Sequence, residues 1–183
     1  MKQSIALVIV TLVLFMTDIA NAEWQADPSD KRQQKAAATI ADIRSKIPRT
    51  VPYFEQAYAF AVLPSVTRVG FGFGGAVGKG LVIEGETAIG ATRFWQFTSG
   101  IQAGAKNFSM LVFFKDKDAL DLFKSSDIQF MGQAGLAFAS AGIAGTPAYN
   151  DGVAIVTMTR FGLMGEFTIS GAKFSYKPFA ETE

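Results

Sequence analysis

Residues 70–80, GFGFGGAVGKG, contain a glycine spacing that also occurs in nucleotide-binding loops. A dinucleotide-binding loop lies between a strand and a helix, because the helix N-terminus binds the pyrophosphate. Here the glycines are followed by a sequence typical of a β-hairpin. A P-loop is excluded too, since Phe73 stands where its first glycine belongs and Gly80 where it needs Ser or Thr. The glycines therefore indicate a bent strand that another backbone segment approaches closely.

The chain contains no histidine and no cysteine. This removes the usual general base, the Ser-His and Cys-His nucleophiles and nearly all zinc sites. Carboxylate, lysine or tyrosine chemistry remains, but Glu84 and Glu86 flank a turn that is too exposed for tuned acid–base catalysis. We therefore predict a protein that is not an enzyme, with no catalytic residue, no bound metal and no cofactor.

Positive charge is concentrated in one segment, residues 31–49, where Asp42 is the single opposing acid. Cations beside an anionic bilayer contribute about 1 kcal/mol each, and an apolar helix face adds insertion into the interface. The alternative is a surface helix whose apolar face packs on the protein while its cations are solvated. We hypothesise that lipid binding needs the cations of this segment, which are Lys31, Arg32, Lys35, Arg44, Lys46 and Arg49.

A second set of cations flanks the glycine-rich segments and is a candidate headgroup site: Arg68, Lys79, Arg93 and Lys106. The aromatic residues of RFWQF (93–97) either face lipid acyl chains or pack in the core: Phe94, Trp95 and Phe97.

The net charge of the chain is +1, which provides no long-range field to attract nucleic acid. We therefore predict no nucleic acid partner.

The first 22 residues have the pattern of a cleaved signal peptide. Lys2 precedes the apolar stretch 5–16, and Ala20 and Ala22 form a small-residue cleavage site. The apolar stretch is shorter than the about 20 residues that a transmembrane helix needs. We predict export to the periplasm, or secretion, followed by a flexible leader at 23–29 and a single domain at 30–183.

The domain is predicted to begin with a helical segment, residues 30–56, before a β-rich core at 57–176. Asp30 or Ser29 caps a helix that Pro48 ends, with apolar residues recurring at helical spacing. The stretch TVPYFEQAY continues into a second short helix. A third helix is expected from Asp116, with Leu120 and Phe123 facing the core.

The β-rich core shows short alternating segments separated by turn residues. In residues 69–74 an apolar face of Val and Phe alternates with a face of three glycines. We expect Pro64 to end the first strand, with turns at Gly85 and at 150–152, and six to nine short antiparallel strands in all. The predicted fold class is α+β and β-dominated: a small antiparallel β-barrel or strongly curved sheet with N-terminal helices and one internal helix.

Five segments, in this order, resemble the SYLF domain, a lipid-binding module of bacterial envelope proteins and of eukaryotic membrane-trafficking and actin-regulating proteins. They are AFAVLPSVTRVGFGFGGAVGKGLVI (59–83), GIQAGAKNFSMLVFF (100–114), DALDLF (118–123), GQAGLAFASAGIAG (132–145) and GLMGEFTISGAKF (162–174). The resemblance spans roughly residues 30–176. It implies a β-rich domain with N-terminal helices that binds phospholipids, in eukaryotic members notably phosphoinositides, with a basic N-terminal segment at the membrane. The family often has a polar or basic residue where this chain has Phe161.

We therefore expect a non-catalytic phospholipid-binding envelope protein that associates peripherally with membranes. Its partner is either a bilayer surface or a single lipid molecule. Three alternatives remain open at this point: an outer-membrane β-barrel, an enzyme that uses carboxylates, and a structural or protein-binding envelope module.

Overall fold

The computed structural model describes residues 24–125, 129–131, 138–140 and 149–180. The predicted signal peptide and most of the segment 132–145 lie outside the described residues. Within these ranges two helices precede the sheet and a third interrupts it. In chain order the elements are α1 (Lys31–Lys46), a 3-10 turn (Pro48–Thr50), α2 (Val51–Gln56), β1 (Ala59–Glu84), β2 (Thr87–Phe114), α3 (Lys117–Ser125), β3 (Gln129–Met131), β4 (Phe138–Ser140) and β5 (Val153–Pro178).

Helix α1 begins and ends as predicted. The Asp30 side chain accepts a hydrogen bond from the Arg32 amide (2.8 Å), and the helix ends two residues before Pro48. One face of α1 is buried, through Ala36, Thr39, Ile40 and Ile43. The sequence therefore predicted both the helix and the face by which it packs.

Among the described residues the sheet consists of three long strands and two short ones, not the six to nine short strands that we expected. β1, β2 and β5 contain 26, 28 and 26 residues. The order is β1–β2–β5–β3 with antiparallel pairing, and β4 pairs with β5 in parallel. Pro64 does not end a strand, because it lies within a register shift between Leu63 and Val66 on an edge strand, where a missing amide is tolerated.

Strand β1 bends back on itself around Gly72, whose φ of 69° suits glycine. On either side of the bend the two arms of β1 nearly touch. A Cβ at Gly80 would lie 2.2 Å from the Val62 carbonyl oxygen, and one at Gly74 would lie 2.6 Å from that of Val69. These glycines have the role predicted from the sequence, which is close approach of backbone. Among the described residues the sheet is strongly curved but does not close.

Two apolar clusters hold the domain together. The first fills the inside of the curved sheet, where α3 contributes Leu120 and Phe123 as predicted. The second lies between the outer face of the sheet and the N-terminal helices, with Ile43 of α1 in the cluster and the Phe113 ring against that of Phe54 of α2. Trp24 is also buried in this second cluster, so its segment packs on the domain where we expected a flexible leader.

Candidate functional site

A groove of about 740 Å³ lies between the first half of α1 and the outer face of strands β1 and β2. Four of its lining residues are cations from the predicted lipid-binding set: Arg32, Lys35, Lys79 and Arg93. None of its described lining residues is Asp or Glu, and its apolar lining includes Val77, Leu81 and Trp95. We call this feature the basic groove.

One helix and two neighbouring strands position the four cations. Arg32 and Lys35 are three residues apart on α1, so both side chains lie on the same helix face. Lys79 of β1 and Arg93 of β2 are direct cross-strand partners in the antiparallel register. The buried apolar face of α1 fixes the helix against the sheet, and this packing brings the two pairs together.

Counting acids in the described part of the chain, Arg32 is the one groove cation that an acid compensates. Its guanidinium forms a salt bridge with Asp30 (2.8 Å) and lies 5.2 Å from the centroid of the Phe179 ring. Hydrogen bonds from the Arg32 side chain and amide lower the pKa of Asp30 from 3.8 to about 2, and the same contact raises the pKa of Arg32. Both groups therefore stay charged, and the pair adds little net charge to the groove.

The other three groove cations are uncompensated within the described part of the chain. Lys35, Lys79 and Arg93 are exposed, and none makes an ion pair with a described acid. Like charges placed directly opposite each other on neighbouring strands are destabilising, by roughly 0.2–1 kcal/mol in typical pairs. An anion between Lys79 and Arg93 relieves this repulsion, so the arrangement favours binding of a negatively charged group.

The groove also has an apolar side. Trp95 is 51% exposed, and Val77, its cross-strand partner, is exposed as well. The ammonium group of Lys173 lies 5.4 Å from the centroid of the Trp95 ring. An amphipathic ring beside cations is typical of residues that lie at an interface between polar and apolar phases.

The remaining cations of α1 and the turn after it lie outside the groove lining. Lys31 is exposed on the first turn, and Lys46 pairs with Asp42 (2.8 Å). Arg44 lies over the Phe54 ring, 4.3 Å from its centroid, and Arg49 is half-buried in the 3-10 turn. The N-terminal part of the basic segment therefore contributes cations to the groove lining, and the C-terminal part does not.

Two further predicted cations lie elsewhere on the sheet. Arg68 and Lys106 are cross-strand partners, but Arg68 is buried and Lys106 lies 5.9 Å from the centroid of the Phe108 ring. Neither lines the groove. Spacing along the strands could not separate this pair from Lys79 and Arg93, because both pairs flank glycine-rich segments.

The three aromatic residues of RFWQF divide between the two alternatives given above. Phe94 is buried and packs on Phe174, with ring centroids 4.9 Å apart. Trp95 and Phe97 point outward and are more than half exposed. Lys173 was not among the predicted site residues. Its position opposite Trp95 follows from the β2–β5 register, which no local pattern reveals.

Glu84, one of the two acids that flank the predicted turn, is held by two neighbouring side chains. Glu84 accepts hydrogen bonds from the Tyr58 hydroxyl (2.7 Å) and from Lys124 (3.2 Å), which lower its pKa. The described residues contain no group of three or more potential metal ligands. Their helices include none that is long and apolar enough to cross a membrane.

Comparison of the sequence with models of known protein families finds no match, and a search of curated proteins finds none either.

Proposed function

We propose that this protein binds anionic phospholipids and associates peripherally with membranes without catalysing a reaction. The observation that carries the proposal is the basic groove, in which Lys79 and Arg93 are direct neighbours and the described walls contain no acid. A phospholipid phosphate placed there is within reach of cations from both the helix and the sheet. Each such cation near an anionic surface contributes about 1 kcal/mol.

Two further observations support the proposal. Trp95 and Val77 supply an apolar side to the groove, as a ligand with both phosphate and hydrocarbon requires. The five segments that resemble the SYLF domain are consistent with a phospholipid ligand, phosphoinositides included. The proposal includes export to the periplasm, where membrane phospholipid is accessible. It needs only the curved sheet, and closure of the sheet into a barrel stays a prediction.

Vesicle sedimentation tests this function. We expect the purified protein to sediment with phosphatidylcholine vesicles that contain phosphatidylglycerol or phosphatidylinositol phosphate, and to bind pure phosphatidylcholine much more weakly. The double variant Lys79→Gln/Arg93→Gln should lose about 2 kcal/mol of binding free energy, which corresponds to roughly 30-fold in affinity. Its stability should not fall, because the change removes a like-charge pair.

The matched control is Lys115→Gln/Lys117→Gln, which removes two exposed cations that lie outside both the groove and the predicted lipid-binding set. This control should bind nearly as tightly as the unmodified protein. An equal loss in both double variants would mean that dispersed positive charge, not the groove, attracts the vesicles. Absence of sedimentation with every vesicle type would contradict the function itself.

A further inference from the structure

The bend of the sheet carries large apolar side chains in full contact with solvent. Phe71 and Ile101 are 88% and 81% exposed, and Phe73 and Phe97 are 68% and 62% exposed. We call these four residues the bend patch. Single exposed apolar residues are ordinary, but a contiguous group of this kind marks an interaction surface.

The patch is continuous because its residues share one face of the β1–β2 ladder. Phe71 lies opposite Ala103 and Phe73 opposite Ser99, so small side chains separate the aromatic ones. The Phe73 and Phe97 rings stack with their centroids 6.4 Å apart. Side chains that alternate along a strand return to the same face every second residue, which places all four on the outer side.

The bend itself makes this face protrude. Gly72 has a positive φ, and a Cβ at Gly74 would lie 2.8 Å from the Gly70 Cα, so β1 reverses its direction sharply here. Phe71 and Phe73 flank the outermost residue of that reversal. The patch therefore lies at a tip of the curved sheet.

The bend patch continues directly into the basic groove. Phe97 is two residues from Trp95 on the same face of β2, and Trp95 lines the groove. Along the outer face the order is therefore aromatic tip, Trp95 with Val77, and then the cations. This order matches the polarity of a bilayer from the acyl region to the phosphates.

We propose that the bend patch inserts into the acyl region of a bilayer while the basic groove contacts the phosphates at its surface. This inference rests on the proposed function and adds an apolar anchor to it. A bilayer suits the surface better than a second copy of this chain does. The cations that adjoin the patch complement the phosphates of a bilayer, whereas a second copy of this chain presents cations of the same sign.

Tryptophan fluorescence with brominated acyl chains tests the insertion directly. Trp95 is half exposed beside the patch, whereas Trp24 is buried beneath α1. We expect vesicles of phosphatidylglycerol and brominated phosphatidylcholine to quench the emission of the protein. The Trp95→Phe variant should lose this quenching, since its remaining tryptophan is shielded from lipid.

Substitution at the tip tests the energetic role of the patch. Phe71→Ser/Ile101→Ser should weaken binding to phosphatidylglycerol vesicles on the order of 100-fold and abolish the quenching of Trp95. Both positions are exposed, so the thermal midpoint should change little. The matched control Leu122→Ser removes an exposed apolar side chain from α3 and should leave binding unchanged.

Three outcomes distinguish failure of this inference from failure of the proposed function. Binding to anionic vesicles without quenching, and with no loss in Phe71→Ser/Ile101→Ser, overturns insertion and leaves groove binding intact. No binding to any vesicle overturns both proposals. If the unmodified protein is a dimer without lipid and the double variant is a monomer, the patch binds a second copy of the chain. This result also overturns insertion.

Discussion

The two ends of the outer sheet face carry similar side chains in opposite environments. At one end Leu81, Ile83 and Phe113 are buried beneath the N-terminal helices. At the bend Phe71 and Phe97 face solvent. Both groups lie on the same side of the same two strands, so residue type does not decide which of them is buried.

The difference arises from where the N-terminal helices end. The apolar face of α1 covers the outer face of the sheet as far as the basic groove, where its first turns present Arg32 and Lys35 instead. Beyond this point no described element covers the strands, and Phe71, Phe73 and Ile101 remain exposed. The helix thus divides one apolar face into a structural part and a part available to a partner.

Truncation of one aromatic residue from each end should separate these roles most clearly. Phe113→Ala removes a fully buried ring and should lower the free energy of unfolding by about 3–5 kcal/mol. Phe71→Ala, at the exposed end, should change it by less than about 0.5 kcal/mol. Urea denaturation of the two variants beside the unmodified protein measures both values. Equal losses would show that the bend patch is covered in the native state.

The glycines of β1 allow a second, smaller test of the same comparison. Gly80→Ala adds a methyl group 2.2 Å from the Val62 carbonyl oxygen, so the arms of β1 must move apart at an expected cost of about 1–3 kcal/mol. Thermal unfolding should show a lowered midpoint, and groove binding should weaken because Gly80 lines the groove.

The control for this variant is Gly75→Ala, in which the added methyl group lies 3.0 Å from one oxygen, that of Gln96. It should be tolerated better, because a single neighbour has to move slightly. If Gly80→Ala is as stable as the unmodified protein, the close approach of the two arms is not a property of the native fold.

Features that depend on residues close together in the sequence were predicted correctly. The cap and the buried face of α1, the buried Leu120 and Phe123 of α3 and the turn at Gly85 all agree with the structure. Strand length was predicted wrongly, because Pro64 is accommodated by a register shift instead of ending β1. Such a shift depends on the partner strand, so the sequence of β1 alone does not reveal it.

The basic groove was predicted only as separate parts. Lys35 and Lys79 belong to different segments of the sequence, and their proximity depends on how α1 docks on the sheet. Alternation placed Phe71 and Phe73 on one face, but it does not say which face a helix covers. Exposure of the bend patch is therefore a tertiary property, as is the position of Lys173 beside Trp95.

The smallest expected effect concerns an ionic contact at the end of β1 away from the bend. Glu84 accepts hydrogen bonds from the Tyr58 hydroxyl and from Lys124, and these contacts lower its pKa from 4.5. A carboxylate with a lowered pKa stabilises the fold above its unfolded pKa, and this contribution is lost as the pH falls through the folded value. Glu84→Gln should therefore destabilise the protein at neutral pH by about 0.5–1 kcal/mol.

Urea denaturation at neutral pH and at successive values below 4.5 measures this contribution. The difference between Glu84→Gln and the unmodified protein should shrink as the pH falls, because protonation removes the same charge from Glu84. Glu86→Gln is the matched control, since Glu86 lies at the same turn, is exposed and forms no ion pair with a described residue. A difference that stays constant with pH would show that Glu84→Gln acts through the changed shape of the side chain and not through the loss of its charge.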